Sequence, residues 1–221
     1  MSVEQLDCTS YPVGGPDLGP VVDHLRAGRL LVYPTETVYG LGGVVTDTVL
    51  DALVTAKNRK AKKPFLLLVP SRESVEGLSW TPAATDLADV FWPGSVTIVL
   101  RDEAGLFPMG VRSPTGTVAI RMSPHPLVRD LGQALDEPLI STSANMLGEA
   151  PALSAAEAGD AMEALGLRTD LLILDGGRLD PSATSTIIDC SGDEPVMLRE
   201  GTVPLGRVRC VLPGVEAVTD G

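Results

Sequence analysis

The chain reads as a single α/β domain around one largely buried sheet. Three observations predict this. Segments with helical apolar spacing alternate with short strand-like segments along the whole sequence. The 221 residues suit one large domain, and no repeat, low-complexity tract or long linker divides them. Hydrophobic residues make up 44% of the chain but aromatics only 4%, so the core must be built from Val, Leu, Ile and Ala.

Taken in order, the first helix is predicted over 17–27, with Leu18, Val21, Val22 and Leu25 on one face and Gly28 as its stop. Residues 30–33 form a short apolar strand that Pro34 ends. Thr46 or Asp47 caps a helix whose Leu50, Leu53 and Val54 face inward. The apolar run 65–69 fits a strand covered on both faces. Thr81-Pro82 and Ser123-Pro124 each read as an N-cap followed by proline at the first helical position. Ser154 with Glu157 has the form of a capping box. Further strands are expected at 95–101, 117–122, 138–141, 171–174, 186–190 and 196–199, and a short closing helix at 204–212. The count is about eight strands and about five helices.

Charge narrows the function. Lys and Arg number 17 against 29 Asp and Glu, a formal charge of −12. All four lysines (Lys57, Lys60, Lys62 and Lys63) fall together with Arg59 in one short stretch. Such a cluster either ends a helix, complementing its carbonyls, or holds several negative groups of one ligand, as a polyphosphate needs. A strongly acidic chain with few aromatics is a poor autonomous nucleic-acid binder. Cys8, Cys190 and Cys210 are far apart, and the only histidines are His24 and His125, so neither a disulfide framework nor a zinc site is expected. No apolar run has membrane-spanning length and no signal-peptide plan appears, so a cytoplasmic protein is expected.

Four polar segments lie at predicted strand ends, where open α/β sheets bind ligands. The first, 34–42, places Thr35, Glu36, Thr37 and Tyr39 in a glycine-rich turn. The second is Lys57-Asn58-Arg59. The third is 117–121, where strand alternation puts Thr117, Ala119 and Arg121 on one face. Arg121 there pairs either with a carboxylate of the protein or with an anionic group of a ligand. The fourth is 141–145, carrying Ser141, Thr142, Ser143 and Asn145, which reads as a helix cap or a binding turn. There is no phosphate loop of the G-x-x-x-x-G-K-[ST] kind, no dinucleotide fingerprint and no nucleophile elbow. The residues present suit chemistry run by positioning and charge stabilisation around a phosphate-bearing ligand.

The order of PTETVYGLG at 34–42, Lys57-Asn58-Arg59, Trp92-Pro93-Gly94-Ser95-Val96-Thr97, Thr117 to Arg121 with His125-Pro126, Ser141 to Asn145, Leu174-Asp175-Gly176-Gly177, Ser185-Thr186 and Leu198-Arg199-Glu200-Gly201 resembles the YrdC-like family. The resemblance spans about residues 18–212 and is to the short, single-domain form. It departs from the family pattern where Lys60 replaces a proline and where Glu200 stands inside the usual R-P-G. It implies a domain at 18–212, an N-terminal extension at 1–17 and a tail at 213–221.

The family resemblance implies a twisted mixed sheet flanked by helices, with a deep concave active site. It also implies synthesis of L-threonylcarbamoyl-AMP and pyrophosphate from L-threonine, bicarbonate and ATP, with Mg2+ accompanying the ATP and no protein metal ligands assigned. A partner enzyme would then transfer the threonylcarbamoyl group to the tRNA adenosine beside the anticodon, with at most weak tRNA contact by this chain. Carried over residue by residue, Lys57 and Arg59 are the implied catalytic pair. Thr35, Thr37, Arg121, Ser141, Ser185 and Thr186 are implied to meet threonine and its carbamate. Lys57, Arg59, Lys63, Thr117, Ser143, Asn145 and Arg199 are implied to bind ATP. The competing readings are an RNA-binding, translation-associated module without catalysis and a carbamoyl-adenylate-forming domain like that of hydrogenase-maturation carbamoyltransferases.

Overall fold

The computed structural model describes residues 4–57, 64–167 and 170–218. Its strands are β1 (Glu4–Asp7), β2 (Leu30–Pro34), β3 (Tyr39–Val44), β4 (Leu66–Leu68), β5 (Val96–Arg101), β6 (Thr117–Arg121), β7 (Leu139–Ser143), β8 (Leu171–Asp175), β9 (Thr186–Asp189), β10 (Val196–Arg199) and β11 (Glu216–Ala217). Its helices are α1 (Gly19–Arg26), α2 (Asp47–Ala56), α3 (Pro82–Phe91), α4 (Pro126–Leu135), α5 (Ala155–Ala164) and α6 (Leu205–Arg209). The strands form one sheet in the order β1-β8-β2-β3-β7-β4-β6-β5-β9-β10-β11. Parallel pairs (β8 with β1 and β2, β6 with β4, β9 with β5) mix with antiparallel ones, so the sheet is mixed, as expected.

Aliphatic side chains make up most of the core, as the composition requires, though Tyr33, Tyr39 and Phe65 are its largest fully buried members. β2 is buried along its whole length, and Leu25, Leu31, Leu41, Leu53, Leu67, Leu87, Ile98 and Ile120 are fully enclosed. Three helices start as their caps predict. The hydroxyls of Thr46, Thr81 and Ser154 accept from the backbone N–H of Val49, Ala84 and Glu157 respectively. Glu157 then reaches back to the Leu153 N–H at 2.8 Å, one residue before the cap.

Three expectations need correction. Val54, expected to face inward, is exposed, because the buried stripe of α2 runs through Val49, Leu50, Leu53 and Ala56. Ser123 does not cap α4; the N-cap position is His125, whose side chain makes no capping bond, with Pro126 as the first helical residue. The Ser123 hydroxyl is instead drawn to Glu36 Oε2 at 2.6 Å. Eleven strands also stand where about eight were expected, because β1, β3 and β11 carry no clear strand pattern. β3 is rich in glycine for a packing reason. A Cβ on Gly42 would sit 1.8 Å from the Ile140 carbonyl oxygen of β7, so only glycine lets the two strands pair there.

Candidate active site

Strand alternation selects the side chains that meet at the sheet centre. In β5 and β6, Ile98 lies opposite Ile120, which sets Thr97 beside Arg121. Thr97 pairs in register with Ile187, and Ile187 with Arg199. Arg121, Thr97, Ile187 and Arg199 thus form one row across four strands. All four line a cavity of about 260 Å3, together with Thr35, Thr37, Ser141, Ser143 and Ser185.

The turn between β2 and β3 supplies two of these hydroxyls. Thr35 Oγ1 donates to the Val38 carbonyl at 2.7 Å and accepts from the N–H groups of Thr37 and Val38, closing a tight side-chain turn. Thr37 Oγ1 lies 3.2 Å from Thr35 Oγ1, and both residues are buried. Across the cavity, Tyr33 donates to Ser141 Oγ at 2.8 Å. Burial pushes the Tyr33 phenol up to about 12, so it stays a neutral donor that fixes Ser141.

Two cations share the cavity. Arg121 is almost fully buried, and its Nη1 donates to Glu36 Oε1 at 2.5 Å. Its Nε is also buried and finds no hydrogen-bond partner among the described residues. Arg199 donates from Nε and Nη2 to the Ser185 carbonyl at 3.1 and 2.8 Å, and Ser185 Oγ lies 2.9 Å from Thr97 Oγ1. Burial, and then the charge of Arg121, hold the Arg199 pKa below its ordinary value. A guanidinium remains charged through such a shift. The result is a concave, hydroxyl-lined pocket with two guanidinium groups in its wall, Arg199 and the Glu36-paired Arg121.

The other expected residues are placed as follows. Lys57 caps α2 at its C-terminal end and is buried; its Nζ donates to the Asn145 backbone carbonyl and, at 2.9 Å, to Asn145 Oδ1. Ser143 Oγ donates to that same Oδ1 at 2.6 Å, so Lys57, Asn145 and the cavity-lining Ser143 form one chain of contacts. Asn145 itself lines a second, larger groove beside α5 and not the cavity. Thr117 lies outside the cavity lining, and its Oγ1 is 2.7 Å from Ser113 Oγ. Thr186, fully buried, points away from the cavity because its neighbour Ile187 points in. Its hydroxyl donates to the Val203 carbonyl at 2.6 Å and accepts from Gly201 and Val203 N–H. Arg59 and Lys63 lie outside the described residues.

Thr97 and Tyr33 were not singled out from the sequence, and Glu36 was named only as the carboxylate of the 34–42 turn, with no partner assigned to it. Glu36 and Thr97 both fall inside quoted motifs, and the parity of β5 puts Thr97 on the same face as Val99. Tyr33 reads as core and acts through Ser141. Among the described residues, no three His, Cys, Asp or Glu side chains gather to hold a metal ion.

The fold and cavity together define a single-domain α/β protein with a small-molecule site built on the open face of its sheet. Residues 23–201 match the Sua5/YciO/YrdC family model, described as Telomere recombination, and the chain belongs to that family. A Chromohalobacter salexigens relative named threonylcarbamoyl-AMP synthase is 38% identical over 182 residues, covering 80% of this chain and 94% of that one. The threonylcarbamoyl-AMP synthase of Pyrococcus abyssi is 34% identical over 191 residues, covering 85% of this chain and 55% of the relative. The crystal structure of P. abyssi Sua5 complexed with L-threonine superimposes with a TM-score of 0.86 at 28% identity, over 99% of this chain and 63% of that one.

Proposed function

We propose that this chain is a threonylcarbamoyl-AMP synthase that joins L-threonine, bicarbonate and ATP, releasing pyrophosphate. The observation that carries the reading is the pair Arg121 and Arg199 in a cavity otherwise lined by threonine and serine hydroxyls, in a chain whose relatives carry that name. An amino acid with a carboxylate and a hydroxyl matches that lining group for group.

In this reading, Arg121 takes the threonine carboxylate, and Thr35 and Thr37 surround the amine end. There the neutral amine captures carbon dioxide that bicarbonate yields by losing hydroxide; the amine gives up one proton as it becomes a carbamate, and that proton and the hydroxide leave as water. A carbamate oxygen then attacks the α-phosphorus in line, forming the new P–O bond as the bond to pyrophosphate breaks. Arg199, at the opposite end of the cross-strand row, faces the developing phosphate charge. A preorganised charge of this kind accounts for about 10²–10³ in rate, by analogy with oxyanion-hole donors. Arg59 and Lys63 would hold the outer phosphates. Lys57 fixes the serine-rich turn through Asn145 and would meet phosphate by exchanging that partner for it.

Magnesium bound with ATP would neutralise the departing pyrophosphate. The described residues offer no carboxylate trio to cage it, so the ion would be held mainly by the triphosphate. The product's threonylcarbamoyl group would pass to a tRNA-modifying partner. No helix among the described residues is long and apolar enough to cross a membrane. The reading places the enzyme in the cytoplasm, where its tRNA-modifying partner would act. The test is pyrophosphate release from ATP with L-threonine and bicarbonate omitted in turn. Both omissions should abolish release, and release without threonine would overturn the reading.

A further inference from the structure

We propose that Glu36 is a positioning residue that aims Arg121 into the cavity and thereby sets selection for a substrate carboxylate. The proposal rests on the reading of Arg121 as the carboxylate partner. Glu36 does not line the cavity, yet both its oxygens are engaged around it. Oε1 accepts from Arg121 Nη1 at 2.5 Å and from Ser95 Oγ at 3.3 Å, and Oε2 accepts from Ser123 Oγ at 2.6 Å. The donors come from just before β5, the end of β6 and the stretch leading into α4. One carboxylate therefore ties three segments to the β2–β3 turn.

The form of the ion pair is what makes it a positioning device. Arg–carboxylate pairs frequently engage the guanidinium fork with two parallel bonds. Here Glu36 takes Nη1 alone, and Nε is left buried without a partner among the described residues. A buried donor left without a partner calls for an explanation, and an expected ligand provides one. Glu36 also offsets the cost of burying the Arg121 charge, which an apolar neighbour could not do. Thr35 and Thr37 flank Glu36 in the chain, and both line the cavity. The expected ligand edge is a carboxylate, since the remaining guanidinium donors match its planar pair of oxygens.

The experiment compares binding of L-threonine with that of L-threoninol, which lacks the carboxylate, by calorimetry on the full chain with ATP present. The wild-type protein should prefer threonine. Glu36→Gln should weaken threonine binding by about tenfold or more, leave threoninol nearly unchanged, and shift ATP affinity by less than about twofold. Glu36→Asp should restore part of the preference. Adding Glu36→Gln to Arg121→Lys should worsen the preference little further, since both act through one contact. An unchanged preference in Glu36→Gln, or equal losses for threonine and ATP, would overturn the proposal. If Glu36→Gln fails to fold, Ser123→Ala removes one anchor more gently, and an unchanged preference there overturns it equally. A wild-type protein that does not distinguish the two ligands would instead overturn the reading of Arg121 itself.

Discussion

Lys57 Nζ is bonded to both oxygens of Asn145, the backbone carbonyl and the side-chain Oδ1. This ties the end of α2, where the lysine-rich stretch begins, to the turn that carries Ser143. The two residues should behave as one unit. Asn145→Ala and Lys57→Ala are each expected to weaken ATP binding by about tenfold or more, and the double variant should be little worse than either single. Titration calorimetry decides it. Strictly additive losses would mean that each residue contacts ATP independently.

Thr186 sits beside the cavity in sequence but on the opposite face of β9, pinning residues 201–203. Thr186→Val removes a donor and an acceptor while keeping the shape. It should lower unfolding free energy by about 1–2 kcal/mol, since two part-buried N–H groups lose their partner. The threonine KM should stay within about twofold of wild type. Denaturant titration and initial rates check the two halves separately.

Gly42 is held against the Ile140 carbonyl. Gly42→Ala should destabilise by about 3 kcal/mol or more, as overpacking against backbone cannot relax by a rotamer change. Gly148, with a φ of +86° and open space around its missing Cβ, makes a control. There alanine should lower stability by about 1–2 kcal/mol through backbone strain alone. Chemical denaturation midpoints rank the two.

His125 supplies a pH dependence. Its Nδ1 is buried without a partner among the described residues, and burial lowers its pKa, with Glu36 partly opposing the shift. The unfolded chain therefore binds a proton near pH 6.5 that the folded chain refuses until lower pH. The stability tied to this group is complete above about pH 6.5 and is lost as pH falls through the folded value. A protonated histidine at the start of α4 is also opposed by the helix dipole, which acts in the same direction. Thermal midpoints should fall between about pH 7 and pH 5, and His125→Gln should flatten that fall. An identical slope in the variant would show that carboxylates alone carry it.

The legible parts of this chain are those where side chains carry the pattern. Apolar runs marked β2, β4, β5 and β8, and hydroxyl caps marked α2, α3 and α5. β3 was illegible because its glycines serve a close backbone approach and leave no alternation to read. The candidate site was legible as a set of segments and less so as individual groups. Arg121 and Ser185 reach the cavity, whereas Thr186 falls on the other face by one residue of strand parity. Thr117 shares the face of Ala119 and Arg121 but lies outside the lining, committed to Ser113. Glu36 was legible as the carboxylate of its turn but its partners were not, since only the folded sheet brings Ser95, Arg121 and Ser123 within reach of it.

The central claim is that bicarbonate carbon and threonine end in one adenylate. Incubation with ATP, L-threonine and carbon-13 bicarbonate, followed by mass spectrometry of the quenched mixture, tests it most directly. The account predicts a threonylcarbamoyl-AMP ion that carries the label and disappears in Arg121→Ala. AMP or a threonyl-adenylate formed without the labelled carbon would contradict it.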